Sequence, residues 1–311
     1  MELHATEPYD FGQTVQAFDG NEPWADERVC SDDSVAVGGY AEERPFVATV
    51  SPGEESTTLD ADVEWVDEQG DDRVVADWLG AFFSLSDDVE PLYEAAADDP
   101  PFRHILDSLD GYHQVRFPAP FEAACWAALA QATPTHVARE QKRELVTSVG
   151  RVVERPPSAA GSRRDDATAG ATLTANALLL FPTPRLVLTG APAVGRLFPE
   201  WKARTILAAA ETFATEPLST LDTQELLDRL GSIWGFDAWA AEFVAVHGFG
   251  RMDRPPLYEP RLRSAVEELY GLPEATDDHL DRLAERYGEN AGYWAHYLMT
   301  WAQRQNEAPT V

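Results

Sequence analysis

The 311-residue chain is 44% hydrophobic, enough for large cores, and carries 24 basic against 54 acidic residues, a net charge of −30. No stretch nears the roughly 20 apolar residues of a spanning helix, the acidic N-terminus lacks signal-peptide features, and two cysteines are too few for a metal cluster or disulfide framework. These facts argue against a membrane protein and a disulfide scaffold, and lead us to expect a cytoplasmic protein whose carboxylates keep it solvated in a high-salt, halophilic cytosol.

Residues 1–102 read as an α+β module. Val, Ala and aromatic residues between Gly, Pro and Asp mark strands at 34–40 and 45–50. Segment 59–66 alternates Leu59, Ala61, Val63 and Trp65 with Asp60, Asp62 and Glu64, the period of a half-buried strand. Segments 73–84 and 89–97 have a helical texture, and Asp99-Pro100-Pro101 breaks them. From residue 103 onward helices dominate. They are expected at 121–132, 134–150, 172–180, 200–214, 221–229, 238–248, 260–270, 277–287 and 290–304, with a flexible polar loop at 155–171. The fold class is therefore α+β, an antiparallel-sheet domain over 1–102 followed by an all-α domain over 103–311.

The charge follows this division. Residues 1–100 hold 27 acidic and three basic residues, whereas 101–311 hold 27 and 21. An anionic polymer would meet the second part. In molar salt the Debye length is only about 3 Å, so distant carboxylates repel a phosphate weakly.

Chemistry concentrates around Ile233-Trp234-Gly235-Phe236-Asp237-Ala238-Trp239, between a helix ending near Leu230-Gly231 and a second apolar helix. A turn of this kind points backbone N–H groups outward beside a helix N-terminus, where partial positive charge can hold a phosphate. Gly235, Trp239 and Ala241 keep the frame of a known hairpin. Phe121-Glu122-Ala123 with Ala130-Gln131, Glu285-Arg286-Tyr287 with Tyr293, Glu7-Pro8-Tyr9-Asp10-Phe11, and Phe181-Pro182-Thr183-Pro184 before Arg185 add matches in the same order. Together they resemble the 3-methyladenine DNA glycosylase II family of the helix-hairpin-helix DNA glycosylase superfamily, over nearly the whole chain.

The resemblance implies that the helical part is a helix-hairpin-helix glycosylase domain. It implies a DNA N-glycosylase that hydrolyses the bond to alkylated purines in double-stranded DNA during base excision repair. Neither a metal nor a cofactor is expected, nor an obligate protein partner. Glu259, 20 residues after Trp239, stands where the family has its catalytic Asp. Trp239, Phe243, Tyr287 and Phe11 are the implied pocket aromatics for a cationic base. Gln131, Ala132, Gly235, Phe236, Asp237, Ala238 and Arg251 are the implied DNA contacts, with His247, Arg254, Arg261 and Arg263 near the hairpin as further phosphate candidates.

Three positions depart from the family. Asp237 replaces a hairpin Gly, so a monovalent cation is expected to bridge it to phosphate. Glu259 is one methylene longer than Asp, and Ala132 replaces a bulky wedge. The departures leave an alternative, a catalytically weak or inactive relative that binds DNA or damaged bases. Glycosylases that also cut the backbone place a Schiff-base Lys where Trp239 stands. No lysine follows Lys202, so lyase activity is not expected. No Cys follows Cys125 to hold an iron–sulfur loop.

Overall fold

The computed structural model describes residues 1–16, 28–31, 34–154 and 177–307. Strands β1 (Glu2–His4), β2 (Arg28–Ser31), β3 (Ser34–Ala41), β4 (Arg44–Pro52) and β5 (Thr58–Trp65) form one antiparallel sheet, ordered β1-β5-β4-β3-β2. Ala41 pairs with Arg44, so β3 and β4 are joined by a two-residue turn. Glu42 and Glu43 both take positive φ there (48° and 65°), as such tight hairpins require. Along the start of β5, Leu59 and Ala61 are buried while Asp60 and Asp62 are exposed.

One sheet face packs on α2 (Asp72–Phe82) through Val35, Val37, Phe46, Val75 and Leu79, and Phe11 of α1 (Phe11–Gln16) joins the same core. The other face is covered by β6 (Arg151–Glu154) and β7 (Ala177–Leu180), an antiparallel pair whose Leu178 and Leu180 meet Ala36 and Val47. This corrects the helix expected over 172–180, since 177–180 is a strand. Its run Ala-Leu-Leu-Leu is buried throughout, and a short apolar run does not reveal its period. Gly38 admits it, because a Cβ at Gly38 would stand 2.9 Å from Leu180 Cδ1. The loop expected at 155–171 lies outside the described residues.

The remaining helices are α3 (Glu90–Ala95), α4 (Pro100–Ser108), α5 (Pro120–Ala130), α6 (Thr135–Val149), α7 (Pro184–Thr189), α8 (Ala191–Leu197) and α9 (Glu200–Thr215). They continue as α10 (Thr223–Gly231), α11 (Ala238–His247), α12 (Pro260–Tyr270), α13 (Asp277–Ala284) and α14 (Ala291–Glu307). The boundary expected after residue 102 falls inside α4. Asp99 caps this helix by accepting from Phe102 N–H at 3.4 Å, and two prolines fill its first turn. Pro-Pro thus starts a helix here, since prolines lack the N–H that a first turn leaves unused.

Two cores result. One runs from the sheet into the helices, joining Val50 and Phe83 to Phe121, Ala124, Ile206 and Val244. The second joins Leu92, Phe102 and Ile105 to Leu262, Leu280 and Trp294. Residues of α3 and α4 therefore pack with the C-terminal helices. Helices α5 and α11 lie against each other, and both bury alanines along their length. A Cβ at Gly248 would stand 3.0 Å from Pro120 Cα. Small side chains let these helices approach closely, and they form the floor under the site.

Candidate active site

The hairpin is built by Gly235 and Asp237. Gly235 has φ +90°, and a Cβ there would lie 2.1 Å from Thr205 Oγ1 on α9. Conformation and space therefore both require glycine. Two residues on, Asp237 caps α11, its carboxylate accepting from Ala240 N–H at 2.8 Å. Asp237 thus occupies the helix N-terminus with its own negative charge, on the position where a phosphate was expected to sit.

Glu259 caps α12 and is buried, at 7% exposure. It lines a cleft of about 1580 Å³ together with Gly235, Trp239 and Phe243. Its carboxylate has two sets of donors. Trp239 Nε1 donates to one oxygen at 3.1 Å. Arg261 donates to the other from its backbone N–H at 3.2 Å and from Nε at 2.9 Å, with Nη2 reaching the first at 3.3 Å. Burial pushes this carboxyl up, but the hydrogen bonds and charge of Arg261, helped by the Trp239 N–H, outweigh it and hold Glu259 below the usual carboxylate range. The site therefore contains a buried carboxylate that is ionised at neutral pH. The approach to it is also fixed, because Glu242 on α11 accepts from Tyr258 N–H at 2.8 Å.

Rings continue along the wall. Trp239 and Phe243 lie 5.2 Å apart, Phe243 and His247 4.6 Å, and His247 and His296 6.0 Å. Tyr112 stacks on His296 at 5.7 Å. All five residues line the cleft. Burial pushes His247 down to about 4 and His296 down to about 3, with the nearby positive charge of Arg261 adding to both. Both imidazoles are neutral at ordinary pH.

Of the residues expected from sequence, Glu259, Trp239, Phe243, Gln131, Ala132, Gly235, Phe236 and Asp237 share this cleft. Ala238 is exposed at the first position of α11. Three expectations are corrected. Tyr287 is buried in the second core and donates to Asp99 at 2.8 Å, away from the cleft lining. Asp99 gathers it with Tyr270 and Arg286, each at 2.8 Å, so the Glu285-Arg286-Tyr287 segment serves a buried ion-pair node. Phe11 is buried beside Phe83 in the first core, with ring centroids 6.2 Å apart. Arg251 spends its guanidinium on the Leu221 and Ser219 carbonyls, at 2.7 and 3.3 Å, and is taken up in holding the start of α10.

The neighbouring cations are likewise engaged. Arg254 bonds Gln224 at 3.0 Å, Arg263 bonds the Ala275 carbonyl at 2.9 Å and pairs with Asp277, and Arg261 serves Glu259. Asp253, the next acid upstream, accepts from Thr223 at 2.8 Å. Sequence reading missed Lys202. It is buried, and its ammonium donates to the Leu129 carbonyl (2.7 Å), Thr133 (2.6 Å) and Gln141 (2.8 Å). That clamp fixes the loop of Gln131 and Ala132, where Ala132 takes φ +51°. The scarcity of lysine in the sequence was the available signal.

No protein-family profile matches the chain. A curated relative from Mycobacterium tuberculosis, "Probable bifunctional transcriptional activator/DNA repair enzyme AlkA", is 30% identical over 193 residues, 61% of this chain and 35% of that protein. The chain thus spans about a third of the length of the curated relatives it matches. Among solved structures, a 3-methyladenine DNA-glycosylase from Archaeoglobus fulgidus superposes with a TM-score of 0.77 at 18% identity, covering 100% of both chains. An 8-oxoguanine glycosylase/lyase from Clostridium acetobutylicum, solved with double-stranded DNA, superposes with a TM-score of 0.65 at 14% identity, over 93% of this chain and 91% of that one. The chain has the α+β fold of the helix-hairpin-helix DNA glycosylases.

Proposed function

We propose that this chain is a DNA N-glycosylase that releases alkylated purines from duplex DNA in base excision repair. One observation carries the reading: an ionised, buried Glu259 bonded to Trp239 on an aromatic cleft beside a helical hairpin. A base stacked in a duplex hides its glycosidic bond, so it must be extruded into such a cleft. Trp239 and Phe243 offer π faces to a cationic base, each worth about 0.5–2 kcal/mol. As the bond to the sugar lengthens, its electron pair leaves with the base and the sugar becomes cationic. In this reading Glu259 stabilises that cation. Water then adds to the anomeric carbon and loses a proton to solvent. With four hydrogen bonds and a depressed pKa, Glu259 is a weak base, so its role is electrostatic.

Trp239 offers no amine for a Schiff base, which supports hydrolysis without strand cleavage. Asp237 at the hairpin supports a bridging monovalent cation between its carboxylate and a DNA phosphate. The net charge of −30 supports a high-salt cytoplasm as the working environment. Incubated with methylated duplex in molar potassium chloride, the chain should release 3-methyladenine or 7-methylguanine. Glu259→Gln should slow single-turnover release about a hundredfold or more. Release that survives Glu259→Gln removes this residue from the chemistry, and DNA binding without release leaves a binding protein of the same fold.

A further inference from the structure

Two imidazoles on the cleft wall have nitrogens that no described protein group bonds. His296 Nε2 lies 3.0 Å from the Tyr112 hydroxyl, while its Nδ1 is buried without a hydrogen-bond partner among the described residues. Tyr112 bonds the Thr300 side chain and, buried, keeps its proton, which it donates to His296 Nε2. The imidazole proton of His296 is then on Nδ1. His247 Nδ1 lies 3.2 Å from Gln114 Nε2; with the amide placed this way, Gln114 Oε1 has no partner among the described residues, the ring accepts at Nδ1 and its proton is on Nε2. Each ring is thereby oriented by a protein partner on one nitrogen and left with an unused N–H on the other. At His296 this nitrogen is buried, and a buried donor without an acceptor is destabilising unless a ligand supplies one.

Both rings are neutral, since burial depresses His247 and His296 far below the usual imidazole range. They can therefore donate without adding positive charge against a cationic base. Adjacent Trp239 and Phe243 supply flat faces but no polar discrimination at a ligand's edge.

We propose that His247 and His296 are specificity-determining residues whose N–H groups bond a carbonyl oxygen on the edge of an extruded purine, so that the cleft favours 6-oxo over 6-amino purine lesions. This rests on the glycosylase reading above. The two classes can be compared at equal base charge with 7-methylguanine, which has the carbonyl, and 3-methyladenine, which has an amino group there.

The test is the ratio of single-turnover release rates for these two bases, each relative to its own uncatalysed rate. His296→Phe keeps a flat ring and removes the N–H, and His247→Phe does the same at the second position. In either variant the ratio should shift against 7-methylguanine by about tenfold or more. A ratio within about threefold of the unaltered chain, with both bases still released, overturns this inference and leaves the glycosylase reading intact. If the unaltered chain releases neither base, the glycosylase reading fails first. Should both variants fail to fold, the unaltered chain decides by ¹⁵N NMR of its imidazoles. Titration with free 7-methylguanine should move the His296 Nδ1 and His247 Nε2 resonances, whereas unmoved resonances at saturation reject the proposal.

Discussion

Glu259 is charged because of Arg261, two residues further along the same helix start. Burial alone would favour the neutral acid, and the guanidinium reverses that preference. Arg261 is thus a positioning and charge-setting residue. In Arg261→Ala, burial is opposed only by the Trp239 N–H and the backbone N–H of residue 261. The acidic limb of the pH–rate profile for base release should then move to higher pH, measured under single turnover. A uniformly slower profile with an unmoved limb would assign Arg261 to DNA contact instead. The two histidines give a second pH dependence. Unfolded imidazoles titrate near 6.5, whereas folded His247 and His296 titrate near 4 and 3. The unfolded state therefore binds protons that the folded state refuses. The corresponding stability is complete above about pH 6.5 and is lost as pH falls toward the folded values. Urea unfolding should show declining stability between pH 6.5 and 5, above the range of ordinary carboxylates, and His296→Phe should flatten that decline.

At the scale of elements, α11 shows how one residue can serve folding and oppose ligand binding. The Asp237 carboxylate satisfies an orphan N–H of the helix and interacts favourably with its dipole. The same carboxylate repels an approaching phosphate. The two effects separate by substitution. Asp237→Ala should destabilise the chain by about 1 kcal/mol in urea titrations. Asp237→Asn keeps a capping oxygen, so it should leave stability nearly unchanged while tightening binding to duplex DNA in 0.1 M potassium chloride. Unchanged or weaker binding in Asp237→Asn would mean that phosphate does not approach this turn. The opposite hairpin residue has no such freedom, because Gly235 meets Thr205 where a Cβ would be. The strand at 177–180 also belongs to this scale. Its sequence has no alternation to read, and only the apolar face of β3 and β4 tells it to pair with β6.

For the whole molecule, the dominant long-range term is the net charge of −30. Residues 1–100 hold much of that excess, and β5 places Asp60 and Asp62 on its exposed side. Self-repulsion of this size weakens the compact state at low ionic strength and is screened by salt. The melting temperature should therefore rise steadily from 0.1 to 2 M potassium chloride. A flat or falling trend would remove the high-salt reading. Binding to DNA is expected to lose little affinity over the same range, since the arginines around the hairpin are already engaged by Gln224, Ala275, Asp277, Glu259 and Leu221 and few remain to displace counterions.

Local patterns in the chain decided the elements that carry their own signals. Alternation at 59–66, the apolar run at 238–248 and the Gly235–Asp237 turn are short-range, because a strand's period, a helix's buried surface and a cap all involve residues within a few positions. The family resemblance, through the 20-residue interval from Trp239 to Glu259, suggested that these two meet, and α11 with the turn after it carries one back to the other. Packing decided the rest. Tyr287 and Phe11 have the composition of pocket aromatics, yet Asp99 and Phe83 claim them. Arg251 and its neighbours look like a basic patch, yet carbonyls, an amide and two acids take up their hydrogen bonds. His296 lies 49 residues from His247, and only the docking of α14 brings the two imidazoles to one wall. A side chain's type is written in sequence, but its partner is set by which surfaces the folded chain desolvates together.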